Sequence, residues 1–213
     1  MKTFNFLLLL LFYALSVPHA NAQKRLLQTY DAANISGIFI KSDEVFEIHL
    51  STKKTDQISI HTRIEGETFE SSLLTAKVEN DLLILRTSRT PDFEPFNDKL
   101  AAHKVMSIVL EIEMPEYLDV DIFSTLASVD AKGSFGNLTI NLGRGGCRLK
   151  EFRFRESAQI NTLTGKIDIE TYTPTQVLAQ SRNGTVVIAE DLFGIPKMVL
   201  KSIHGDISVI KSL

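Results

Sequence analysis

One cysteine, Cys147, stands among 213 residues, and there is no tryptophan. A single cysteine excludes an intramolecular disulfide, so stability has to come from packing and from backbone ladders. As a catalytic thiol Cys147 would want a histidine partner, and none lies near it in sequence. Its segment, 145–149 (GGCRL), instead fits a small buried side chain at the start of a strand. Helical periodicity is almost absent beyond residue 22. So is any apolar run of the length a membrane helix needs, about 20 residues. A basic stripe is missing too. With 23 Lys and Arg against 26 Asp and Glu, the net charge is −3, which offers nucleic acid no phosphate-neutralising footprint.

The one strongly apolar stretch lies at 4–15 (FNFLLLLLFYAL), after Lys2 and before Ala20-Asn21-Ala22. A charge, a short apolar core and a small-x-small site in that order make a cleavable secretory leader over 1–22. The expected product is an exported chain, periplasmic, outer-membrane-associated or secreted. It begins near Gln23, forms one domain over 23–213, and keeps no transmembrane segment.

From there the pattern is period 2. Segments 35–40, 45–50, 58–64, 73–78 and 82–85 alternate apolar and polar residues between turn-prone pieces such as Ser42-Asp43-Glu44 and Glu79-Asn80-Asp81. They read as antiparallel hairpins within an N-terminal part, 23–117. The polar stretch 87–103, with Pro91 and Pro95, has neither period, and its Phe93 and Phe96 make it either a lid or a partner-binding loop. Strand 105–113 then closes at Met114-Pro115.

Over 118–213 five stretches superimpose: VDIFSTLASVDA, TINLGRGGCRLK, QINTLTGKIDIE, LAQSRNGTVVIA and LKSIHGDISVI. Each is strand, small or polar turn, strand. The turn position is held by Ala127, Gly146, Gly165, Gly184 and Gly205, at intervals of 19, 19, 19 and 21. A fixed period near 20 in an all-β segment predicts a β-solenoid, because one turn of chain cannot bury its own apolar face and must share a core with its neighbours. Ile140, Leu142, Leu149, Ile160, Ile167, Ile169, Val186, Ile188, Ile207 and Val209 are the expected interior. Glycine suits a sharp corner because it tolerates positive φ.

On these residues (MPEYLDVDI, then TGKIDI, NGTVVI and HGDISV) the chain resembles the bacterial putative-adhesin family, related to the head GIN domain of proposed autotransporter adhesins and common in Bacteroidetes. The resemblance covers about 35–209. It implies a single-stranded right-handed β-helix, a cell-envelope location and an adhesive role, and supplies no catalytic residues. Ala127 at the first corner and the glycine-rich 143–146 depart from the repeat without disturbing the fold.

Other chemistry was weighed against this pattern. His49 and His61 fall on one polar face if Leu50 pairs with Ile58, but with Glu47 they fall short of the four ligands of a structural metal site. His204 and Asp206 flank a corner without a nucleophile. Gly143 to Gly146 lacks the Lys-Ser/Thr and the helix of a phosphate loop. Asp168-Glu170 and Glu190-Asp191 are out of register between rungs, unlike the clustered acids of β-helix lyases. The expectation is therefore an all-β, non-enzymatic envelope or surface binding module, possessing no catalytic, cofactor or metal site, whose partner is an envelope protein or a surface glycan. The alternatives are a periplasmic accessory or sensor protein and, third, a carbohydrate-active β-helix enzyme. The final repeat, 200–210, runs nearly to Leu213 and is expected to expose its core edge, inviting a second copy through this C-terminal rung.

Overall fold

The structure, a computed structural model, describes residues 23–66, 72–89, 106–195 and 197–212. The expected leader and the loop carrying Phe93 and Phe96 lie outside them. The described residues contain strands and turns and no helix.

The strands are β1 (Gln23–Asp31), β2 (Gly37–Ser42), β3 (Val45–Lys53), β4 (Gln57–Gly66), β5 (Ser72–Glu79), β6 (Leu82–Arg89), β7 (Met106–Pro115) and β8 (Asp119–Ser124). Two long strands follow, β9 (Ser128–Arg144) and β10 (Cys147–Thr164). The chain ends with β11 (Ile167–Thr171), β12 (Gln176–Ser181), β13 (Val186–Ile188), β14 (Lys197–His204) and β15 (Ile207–Lys211). All join one mixed, mostly parallel hydrogen-bonded network.

Each half of β9 and of β10 has its own set of neighbours, so the network divides into two stacks. In the first, the order is β1-β4-β7-β3, then the first halves of β9 and β10, then β11-β15-β13. In the second, β5-β6-β2-β8 lead to the second halves of β9 and β10, followed by β14 and β12. The register is a repeat made physical. Ile122, Ile140, Ile160 and Leu200 are successive partners in the second stack, and Val129, Cys147, Ile167 and Ile207 in the first. All eight are buried, and the inward side chains of both stacks merge into one core cluster. Because the side-chain period of a strand is 2, the alternating sequence puts an apolar set inside and a mostly polar set outside.

Three expectations need correcting. The N-terminal part is not simply a set of hairpins. β5 and β6 do form one, through Asn80 and Asp81, both at positive φ (50° and 61°). But β2 and β3 pair in parallel with distant strands, and β7 inserts between β3 and β4.

The second correction concerns rung order. The last repeat does not end the stack. β14 lies between β10 and β12, and β15 between β11 and β13. The C-terminal strands are therefore interior, and Ile207 and Val209 are enclosed. The outermost rung is β12–β13, where Val186 and Ile188 face inward but stay 40% and 36% exposed. Side-chain bulk gives the reason. Met198 and Leu200 of β14 stand against Val177 and Ala179 of β12, while Ile207 and Val209 of β15 and Val186 and Ile188 of β13 are matched in bulk. Placing the bulkier rung inside buries more apolar surface.

The third concerns the corners. In space they stack as Ala127, Gly145, Gly165, Gly205, Gly184, with Gly145 taking the place expected of Gly146. A Cβ on Gly165 would lie 2.0 Å from the Gly145 carbonyl oxygen, one on Gly205 2.0 Å from that of Gly165, and one on Gly184 2.3 Å from that of Gly205. Close backbone approach is what excludes side chains along this column. Positive φ adds to it at Gly145 (115°) and Gly165 (149°), but not at Gly184. Beside the column, hydroxyls take up corner carbonyls. The Thr162 hydroxyl donates to the Gly165 carbonyl (3.1 Å), and the Ser181 hydroxyl to that of Gly205 (2.7 Å).

Candidate binding surface

The outward faces of the two stacks differ in chemistry. Across the first stack, one row of partners reads Leu27, His61, Glu111, His49, Asp130, Arg148, Asp168, Ser208, Val187. Its charges satisfy one another and their neighbours. Arg148 reaches Asp130 at 3.5 Å, Lys166 reaches Asp168 at 2.8 Å, and Arg63 reaches Glu111 at 3.9 Å. His49 bonds Glu47 through Nε2 (3.1 Å) and faces Asp130.

Across the second stack, the corresponding row reads Thr75, Arg86, Lys41, Phe123, Asn141, Asn161, Lys201, Gln180. No carboxylate stands in it, and none of its three cations has an ion pair among the described residues. Phe123 is 39% exposed and meets Phe39 at a centroid separation of 5.6 Å. Leu163 and Ile203, 55% and 37% exposed, border the row on one side. Asn161 Nδ2 donates to Asn141 Oδ1 (2.9 Å), a side-chain amide ladder between adjacent strands. A shallow groove of about 520 Å³ follows this row from Lys41 and Phe123 to Lys201 and Ile203. A second depression, between Phe39, Lys41 and Arg86, meets it at Lys41 and Asp43.

The residues singled out in the sequence sit as follows. Phe93 and Phe96 lie outside the described residues. His49 and His61 are not direct neighbours, because β7 places Glu111 between them. Among the described residues no three His, Cys, Asp or Glu side chains come together to hold a metal. His204 bonds the Asn183 amide (3.1 Å), and Asp206 Oδ1 accepts both the Thr185 N–H and hydroxyl (2.8 Å each). Those two bonds hold the Asp206 carboxyl below its usual range. Both corner residues thus tie β12–β13 to the rung beneath. Cys147 is fully buried, and burial, reinforced by Asp130 and Asp168, pushes its thiol far up, which makes it an inert packing group. In the glycine-rich corner, the Arg144 and Gly145 N–H groups are spent on the Thr125 and Thr164 carbonyls, and no phosphate cradle forms. Asp168 engages Lys166, Glu170 the Ser212 hydroxyl, and Asp191 Lys211, each in a separate contact.

The second-stack row was not singled out in the sequence. Its signal was present: Asn141, Asn161 and Lys201 each directly follow a buried Ile or Leu at the same place of three repeats.

No family model and no curated protein matches the chain. Among solved structures, a putative cell adhesion protein from Clostridium sporogenes superimposes with a TM-score of 0.65 at 13% identity, covering 89% of this chain and 100% of that one. The two share a fold. A putative adhesin from Bacteroides fragilis covers 88% of this chain and 97% of its own, at 11% identity and a TM-score of 0.47. A putative lipid binding protein from Parabacteroides distasonis covers the same shares at 12% identity and 0.35. The chain's own surface therefore has to carry the functional argument.

Proposed function

We infer that the chain is a non-enzymatic binding module of the cell envelope or surface, adhesion included, exported behind a leader over 1–22. In this reading 23–213 is one domain, a short right-handed β-helix with rungs of 19–21 residues. Parallel partners 18 to 21 residues apart, such as Cys147 with Val129 and Val186 with Ile207, support the rung assignment. The observation that carries the binding role is the second-stack row. Its Asn161 and Asn141 amides are bonded to each other across adjacent strands, and its cations have no ion pair among the described residues, whereas the first stack spends its charges on itself. A surface of ordered, unspent polar groups beside an exposed aromatic is suited to recognition. The test is binding of labelled protein to intact bacterial cells, compared with the double variant Phe123→Ser, Asn161→Ala. Loss of binding with an unchanged unfolding midpoint supports the reading; equal binding by both proteins overturns it.

A second reading, that the partner is another envelope protein, is favoured by the outer edge of β12–β13. Val187 is 60% exposed there, and neither strand has a neighbour beyond it among the described residues. An edge of this kind accepts an added strand. Val187→Lys should then abolish complex formation, or self-association, in light scattering; a complex that persists unchanged rules the edge out.

A further inference from the structure

We propose that the second-stack row is a track for an extended acidic polysaccharide, a chain of uronate-bearing sugars lying across the strands with its carboxylates at Arg86, Lys41 and Lys201. This deepens the binding reading above and rests on it.

Adjacent strands are about 4.8 Å apart, so the four steps from Lys41 through Phe123, Asn141 and Asn161 to Lys201 span about 19 Å. An extended chain of pyranoses advances by close to one strand spacing per sugar, so successive sugars can meet successive strands in register. The chemistry then follows position by position. Arg86 and Lys41 are register partners at one end, and Lys201 stands at the other. All three are exposed and lack ion pairs among the described residues. Between them lie the groups that read a sugar ring. Phe123 offers an aromatic face to ring C–H groups. The Asn161-to-Asn141 bond uses one donor and one acceptor, leaving Asn141 with its amide hydrogens and Asn161 with its carbonyl for hydroxyls.

Charge sets the class of ligand. Asp43 and Asp121 border the row on opposite sides, next to Lys41 and Phe123 on the neighbouring rows. Asp43 also lines the groove, and with Glu44 it lines the depression beside Arg86, so an anionic ligand has to keep to the line of Arg86, Lys41 and Lys201 itself. The whole chain carries net −3, so attraction for a polyanion is local to this line rather than general. A membrane surface would not need a line of amides spaced at the strand repeat.

The experiment uses the purified protein and four probes in calorimetric or fluorescence titration. These are oligogalacturonate of about eight sugars, the same oligomer with its carboxyls reduced to alcohols, neutral oligoglucose, and anionic phosphatidylglycerol vesicles. Oligogalacturonate is expected to bind, and to weaken as salt is raised, while the reduced oligomer binds far more weakly. Arg86→Gln and Lys201→Gln should each lower affinity about two- to fivefold, the range of one exposed charge pair. Lys150→Gln, on the outside of the other stack, should change nothing. If reduced and native oligomers bind alike, and Phe123→Ser weakens both, the surface reading stands and the acidic class is wrong. If oligogalacturonate binding ignores every second-stack substitution, the surface reading fails with it. Binding of vesicles alone, or of no probe, overturns the proposal.

Discussion

The two stacks share β9, β10 and one core, and they differ in what they show to solvent. Outside the first stack, acid and base alternate from strand to strand and close into contacts such as Lys132 with Glu151 (2.8 Å) and Arg148 with Asp130 (3.5 Å). Outside the second, amides, an aromatic and cations without an ion pair among the described residues line up with no acid in their row. Exposed ion pairs add little stability, a median of about 0–1 kcal/mol each, so the first face is not explained as reinforcement. Its alternation instead makes a poor platform for any ligand of one charge sign. The second leaves its polar groups available. One repeat can thus fix a scaffold through its inward positions while its outward positions are free to specialise.

The largest way to break the comparison is to break the column that both stacks share. Gly165 has φ at +149°, and an added Cβ meets the Gly145 carbonyl oxygen at 2.0 Å. Backbone cannot yield there without moving two rungs. Gly165→Val is expected to cost about 4 kcal/mol, strain and overpacking together, read as a shift in urea midpoint. A wild-type melt would show that the column tolerates a side chain.

A smaller effect sharpens the rung order. Ile207 is enclosed by β11 on one side and β13 on the other, while Ile188 sits on the outermost rung, 36% exposed. Ile207→Ala should destabilise by about 3 kcal/mol and Ile188→Ala by about 1 kcal/mol. Equal losses, or a larger loss at Ile188, would restore a stack that follows chain order.

The smallest effect is electrostatic and lies at the outer corner. Asp206 holds Thr185 through two hydrogen bonds, and its carboxyl is held below the ordinary range. A lowered folded-state pKa stabilises the fold above the ordinary carboxylate pKa of about 4, and the contribution fades as pH falls through the lowered value. Protection factors at 185–188, taken relative to the intrinsic exchange rate at each pH, should therefore fall below about pH 4 in the wild type. In Asp206→Ala they should already be low at neutral pH. Protection that ignores both pH and the substitution would remove this tether from the account.

Much of this was legible in the sequence. The alternating apolar positions named the interior, and eight of the ten expected core residues, from Ile140 to Val209, are enclosed. Val186 and Ile188 are the exceptions, and the cause is topological. An interval near 20 looks the same in sequence whether a strand lies beside its predecessor or the chain steps out and back, so strand order was hidden while the inward positions were not. The Gly145-for-Gly146 shift has a similar origin, since three glycines within 143–146 give the alignment two equivalent places for the corner. The pairing imagined for His49 and His61 failed for want of β7, a strand 45 residues further on that no local pattern places between them. The binding row was legible only in part. Asn141, Asn161 and Lys201 occupy one repeat position, but Arg86, Lys41 and Phe123 join them through long-range parallel pairing that no period announces.

The central claim is that recognition belongs to the outer face of the second stack and not the first. The most direct measurement is residue-resolved amide and side-chain NMR during titration with oligogalacturonate. The account predicts shifts that track ligand concentration at Lys41, Phe123, Asn141, Asn161 and Lys201, with Asp130, Arg148 and Asp168 unmoved. Shifts centred on Asp130, Arg148 and Asp168, with the second-stack row unmoved, would contradict it.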